Sequence, residues 1–125
     1  MIPRRLALWA PLVAALAGVY FLSSLSHVPG SEYVWDKLLH AVGYGGISVL
    51  ALRAFHGGFV PLRSRTTIAT FLFMLAWFVS DEYHQSFVPG RDAEVGDVVA
   101  DAVGFGLATV AWILASLAAR LRPTL

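Results

Sequence analysis

Charge along this chain is confined to the ends of long apolar runs, and the two signs keep to alternate gaps. All 8 carboxylates fall in two places: Glu32 and Asp36 around one gap, and Asp81, Glu82, Asp92, Glu94, Asp97 and Asp101 around another. Seven of the 9 Lys and Arg residues (Arg4, Arg5, Arg53, Arg63, Arg65, Arg120, Arg122) sit in the other gaps or at the termini. A chain that crosses a bilayer four times sorts charge in this way, because odd-numbered connections share one side and even-numbered ones the other. Excess Lys and Arg marks the cytoplasmic side. The pattern therefore predicts cytoplasmic N- and C-termini and acidic connections that face outward.

Composition agrees with a membrane location. Apolar residues make up 58% of the chain and charged residues 14%, against about 45–50% and about 25% in soluble domains. The mean hydropathy is +0.69. A length of 125 residues leaves room for one domain. The net charge of +1 identifies no partner, since it sums two unlike faces. With no cysteine there is neither a disulfide nor a thiolate ligand.

A membrane helix needs about 20 mostly apolar residues. Four segments meet this, at about 6–25, 36–55, 66–87 and 95–121. The first is uncharged, with Trp9 and Tyr20 placed to anchor its ends. It reads as a retained helix rather than a cleaved signal peptide, because Ser23-Ser24-Leu25-Ser26-His27 is a poor cleavage site. His56-Gly57-Gly58 stops the second helix, and Pro89-Gly90 breaks the third. Arg120 and Arg122 suit the C-terminus of the fourth. Short connections predict antiparallel neighbours, hence an all-α integral membrane bundle of four transmembrane helices.

Polar residues inside such helices carry the functional information. Asp36 and His40 are spaced i, i+4 and share a face, with Gly43 continuing it; Lys37 and Tyr44 lie on an adjacent stripe. Asp81 and Gln85 repeat the i, i+4 spacing, flanked by Glu82 and His84. Asp97, Asp101, Gly104 and Ala108 fall on one face of the last helix, small in its lower half. All three stripes start at the outward ends of their helices. Their carboxylates are thus expected to meet just under the outer interface, where crowded negative charge requires protons, Lys37 and Arg91, or a divalent cation. Phe87-Val88-Pro89-Gly90-Arg91-Asp92 is expected to lie over them as a lid.

Each residue also has a plainer reading. Asp36 suits an N-cap. Lys37 and Tyr44 suit interfacial anchors, the preferred reading for Tyr44. Glu82 and His84 suit the headgroup region, Gln85 suits helix–helix bonding, and Gly104 and Gly106 suit packing. Arg91 is either a counter-ion for the carboxylates or a phosphate clamp. His27 and His56 lie in connections and carry no signal.

Asp36-Lys37-x-x-His40-x-x-x-Tyr44, followed by Asp81-Glu82-x-x-Gln85-x-Phe87-x-Pro89-Gly90-Arg91-x5-Asp97-x3-Asp101-x2-Gly104, resembles the VanZ-like membrane protein family. The resemblance covers 36–106 and the four-helix layout. The family's eponymous member is associated with low-level teicoplanin resistance, so the resemblance implies an envelope role and glycopeptide tolerance. Family members commonly carry Asn where this chain has Asp101, which implies a hydrogen-bonding or ligand-oxygen role there.

Three classes fit these residues. The first is an enzyme acting on a lipid-linked or phosphorylated envelope substrate, with Asp36, His40, Asp81, Glu82 and Asp97 catalytic and Lys37, Tyr44, Gln85, Arg91 and Asp101 binding substrate. A divalent cation held by Asp36, His40, Asp97 and Asp101 would assist. The second is a non-catalytic binder of a lipid, a glycopeptide or a cation. The third, a small transporter, is disfavoured because the polar residues stop in the outer third. The expected partner is a membrane lipid or lipid-linked precursor, with no nucleic acid, at the outer face of a bacterial inner membrane.

Overall fold

A computed structural model describing residues 1–122 is helical throughout: α1 (Arg4–Ser23), a 3₁₀ turn (Ser31–Tyr33), α2 (Asp36–His56), α3 (Ser64–Gln85) and α4 (Val95–Arg120). Every helix boundary falls within two residues of the expected one. The helices contain 20, 21, 22 and 26 residues. At a rise of about 1.5 Å per residue each reaches about 30 Å, the thickness of a hydrocarbon core.

Three of them, α1, α2 and α4, are long and apolar enough to cross a membrane. The third, α3, has the length but not the composition, since Arg65, Asp81 and Glu82 confine its uncharged stretch to 66–80. Those two carboxylates are buried against the other helices.

Each helix buries a stripe at helical spacing. On α1 it is Leu12, Leu16 and Ser23; on α3 it is Thr70, Met74, Phe78, Asp81 and Gln85. On α4 it is Asp97, Asp101, Gly104, Ala108 and Trp112, the face expected from spacing. Side chains such as Val42, Ile68, Leu72, Leu107 and Leu114 point outward, giving the apolar exterior that lipid requires.

The helices α2 and α4 form the closest pair, with α1 against α2 and α3, and α3 against α2 and α4. Glycine makes the α2–α4 crossing possible. A Cβ on Gly104 would lie 2.3 Å from the Ala41 carbonyl oxygen and 2.9 Å from the Gly45 nitrogen. Small residues let two backbones approach this closely.

At the basic end, arginines repair backbone groups. Pro11 has no N–H for the Ala7 carbonyl one turn earlier. Arg53 of α2 supplies the missing donor, its Nη1 lying 3.2 Å from Ala7 O and 3.4 Å from Leu8 O. Gly57 is left-handed at φ 78°, and the Gly58 N–H donates to Arg53 O at 2.9 Å, a Schellman ending. Arg4 Nη2 donates to Gly57 O at 2.6 Å. His56 departs from expectation. It is the last residue of α2 and buried, with Nδ1 2.9 Å from Leu52 O and Nε2 accepting the Arg63 N–H at 3.2 Å. It ties α2 to α3, so its role is structural.

Candidate functional site

The opposite end of the bundle gathers every carboxylate, at the N-termini of α2 and α4, the C-terminus of α3 and the connections beside them. The acidic residues do not converge on one point. Asp36, Glu94, Asp97 and Asp101 form one polar group between α2 and α4, and Asp81 belongs to a second where α1, α2 and α3 meet.

Between α2 and α4, Lys37 is the counter-ion. Its Nζ bonds Asp97 Oδ1 and Glu94 Oε2, the latter at 2.6 Å, and lies 3.7 Å from Asp36 Oδ2. One turn deeper, His40 Nδ1 is 2.8 Å from Asp101 Oδ1. With Asp101 ionised the carboxylate only accepts, so Nδ1 donates to it, and in the neutral imidazole the Nε2 lone pair is then left open. That nitrogen lies 3.9 Å from Asp36 Oδ1 and 3.8 Å from Asp97 Oδ2. Ligand atoms of Asp36, His40 and Asp97 lie within 4.8 Å of one another, a spacing that suits a metal ion. Asp101 is turned to the far side of the imidazole.

In the second group, the Tyr44 hydroxyl donates to Asp81 Oδ2 at 2.5 Å, and Gln85 Nε2 donates to the same oxygen at 3.4 Å and to Ser23 Oγ at 3.3 Å. Arg91 Nη2 donates to Gln85 Oε1 at 2.6 Å and its Nη1 to Leu25 O at 3.2 Å. Val88 to Arg91 form a type II turn, with Pro89 second, Gly90 at φ 81° and the Arg91 N–H on Val88 O at 3.2 Å. A Cβ on Gly90 would sit 3.6 Å from Ser26 O, so this turn rests on the α1–α2 connection.

A cavity of about 390 Å³ joins the groups. Asp36, His40, Tyr44, Asp81, Gln85 and Arg91 supply its polar wall, and Val19, Leu22, Val28 and Leu39 its apolar one. Two features are unusual there. Arg91 makes no salt bridge with any carboxylate among the described residues. Asp81, only 4% exposed, has its Oδ1 buried without a hydrogen-bond partner.

Several plainer readings are thereby corrected. The N-cap of α2 is Trp35 and no side chain caps it, so Asp36 lies in the first turn with its carboxylate 62% exposed. Tyr44 is buried against Phe78 and cannot anchor at an interface. Glu82 is buried too, its Oε1 accepting the Glu94 N–H at 2.7 Å, which secures the start of α4 rather than lining the cavity. His84 stacks on Tyr20 with centroids 4.4 Å apart and its Nε2 lies 3.0 Å from Ser24 Oγ, joining α3 to α1. Arg91 is no counter-ion.

Spacing alone did not single out Ser23 and Glu94. Ser23 continues the Leu12, Leu16, Val19 stripe at i+11, which would have placed it inside. Glu94 bonds Lys37 from outside any helix, and no periodicity reaches it.

Comparison with curated proteins and with solved structures found no match. A family model described as VanZ/LLP1 matches residues 6–116, which takes in all four helices and both groups of polar residues. With an apolar-surfaced helical bundle and that match, the chain belongs to the VanZ/LLP1 family.

Proposed function

We propose that this VanZ-like membrane protein captures the phosphorylated headgroup of a lipid or lipid-linked envelope precursor in the cavity beside Arg91. On this reading it spans a bacterial inner membrane four times, with cytoplasmic termini and the cavity on the extracytoplasmic side. The charge sorting supports that orientation, and the burial of Asp81 and Glu82 lets α3 serve as the fourth crossing. Glycopeptide tolerance, which the family resemblance implies, follows if the captured molecule belongs to the cell-wall assembly route.

The uncompensated guanidinium carries this reading. Arg91 is held by two neutral oxygens, from Gln85 and Leu25, while Glu94 and Asp97 face Lys37, Asp101 faces His40, Glu82 faces the Glu94 N–H and Asp81 faces Tyr44 and Gln85. A guanidinium at the edge of lipid without an anion favours one from outside, and phosphate accepts its planar fork in a bidentate way. The apolar wall suits acyl or prenyl chain carbon. Asp81 Oδ1 adds a demand for a donor, which a headgroup bearing hydroxyl or amine groups beside its phosphate meets.

One observation favours a second reading. His40, bonded to Asp101 behind it, lines the same cavity with its Nε2 free of any hydrogen bond among the described residues, which suits acid–base chemistry on the headgroup. Native mass spectrometry of detergent-purified protein with phosphatidylglycerol and with diacylglycerol tests the capture. Phosphatidylglycerol is retained, diacylglycerol is not, and Arg91→Ala weakens retention about tenfold or more, as loss of a charge-assisted bond of about 1.5–3 kcal/mol requires. Equal retention by Arg91→Ala, or by the neutral lipid, refutes it.

A further inference from the structure

We infer that His40 Nε2, Asp36 Oδ1 and Asp97 Oδ2 form a binding site for a first-row divalent cation, Zn²⁺ or Mn²⁺. The site borders the cavity but does not depend on lipid capture.

Geometry is the first support. The Nε2 atom lies 3.9 Å and 3.8 Å from the two carboxylate oxygens, and all three ligand atoms fall within 4.8 Å of one another. Ligands about 2.1 Å from a tetrahedral ion are about 3.4 Å apart. The two His–carboxylate separations thus have to contract by about half an ångström, and the Asp36–Asp97 separation by up to about 1.4 Å. Asp36, on the exposed first turn of α2, has the freedom to do this.

The second support is independent of the acidic cluster. The His40 side chain is 10% exposed, and its Nε2, open to solvent, has no hydrogen-bond partner among the described residues, while Nδ1 is fixed by Asp101. Asp97 is divided in the same way, with Oδ1 held by Lys37 and Oδ2 making no hydrogen bond. Each inner residue is therefore bonded on its far atom and open on its near one. Metal-bound histidines show this arrangement, the second ring nitrogen donating to a carboxylate that sets tautomer and orientation. Asp101 is then a positioning residue rather than a ligand.

Ligand chemistry narrows the ion. One imidazole with two carboxylates suits first-row transition ions better than Ca²⁺ or Mg²⁺, which prefer oxygen alone. Together with Glu94, the Asp36 and Asp97 carboxylates balance Lys37 and a 2+ charge. Asp36 and His40 also line the cavity, so an ion held by them would border it.

The test uses full-length protein in detergent, stripped with a chelator and titrated with Zn²⁺ and with Mn²⁺. Melting temperature is read for both ions and electron paramagnetic resonance for Mn²⁺. At least one ion raises the melting temperature saturably, and chelator reverses the rise. Asp36→Asn, a change on an exposed side chain that leaves packing intact, weakens apparent affinity about tenfold or more, and His40→Ala abolishes the response. Should His40→Ala fail to fold, Asp36→Asn decides the matter. No response to either ion in the unmutated protein overturns the site, as does an undiminished response in Asp36→Asn. Because phospholipid retention is measured on the same preparations without added metal, loss of the cation site leaves the lipid reading standing or falling by itself.

Discussion

Replacing Gly104 with alanine tests the feature on which the site's geometry rests. The new methyl group would lie 2.3 Å from Ala41 O, 2.9 Å from Gly45 N and 3.1 Å from Ala41 C. An ordinary carbon–oxygen contact is about 3.3–3.6 Å, so α2 and α4 must separate by about 1 Å. All three obstacles are backbone atoms and none can rotate away. Overpacking of this kind costs about 1–3 kcal/mol. The shift also lengthens the 2.8 Å bond between His40 and Asp101, one turn away. Side-chain bonds between membrane helices average about 0.6 kcal/mol and reach about 1.7. Alanine returns about 1 kcal/mol of helix propensity. The balance is a loss of about 1–4 kcal/mol, so the clash outweighs propensity. Gly46→Ala is the control, since a Cβ there meets nothing within 4 Å. Thermal unfolding in detergent should show Gly104→Ala melting below the unmutated protein and Gly46→Ala at or above it. If Gly104→Ala melts no lower than Gly46→Ala, the close crossing is wrong, and so is its role in bringing His40 to Asp101.

Two further predictions concern orientation and the basic end. Impermeant thiol reagents applied outside intact cells should label Ser31→Cys and Asp92→Cys but spare Ser64→Cys; the reverse pattern would place the cavity in the cytoplasm. Arg53→Met should cost about 1–3 kcal/mol by leaving the Ala7 carbonyl unsatisfied. The same change should cost less in a Pro11→Ala background, where residue 11 regains its own N–H; an equal cost in both backgrounds would show that Arg53 acts through packing alone.

Helix number, boundaries and the burial of whole stripes were legible in the sequence because each depends on local spacing. Membrane-length apolar runs, the Gly57 stop and the Pro89-Gly90 turn act within a few residues of themselves. The 3.6-residue period put Asp97, Asp101, Gly104 and Ala108 on one face, and that face is buried. Charge sorting likewise survives as acidic and basic ends of the bundle.

Partner choice was not legible. Periodicity says which residues share a face, but not how far one helix is rotated or slid against another. Where Gly104 meets Ala41 and Gly45, the backbones lock at one height, and that height gives His40 to Asp101 and Lys37 to Asp97. The same docking buries Tyr44 on Asp81, assigns Glu82 to the Glu94 N–H, and leaves Arg91 with neutral partners. Spacing and charge placed a histidine and an arginine at an acidic end. Tertiary packing set the lysine against carboxylates and the arginine against neutral oxygens, because hydrogen bonds reach only about 3 Å and one helical turn of slide is enough to exchange their partners.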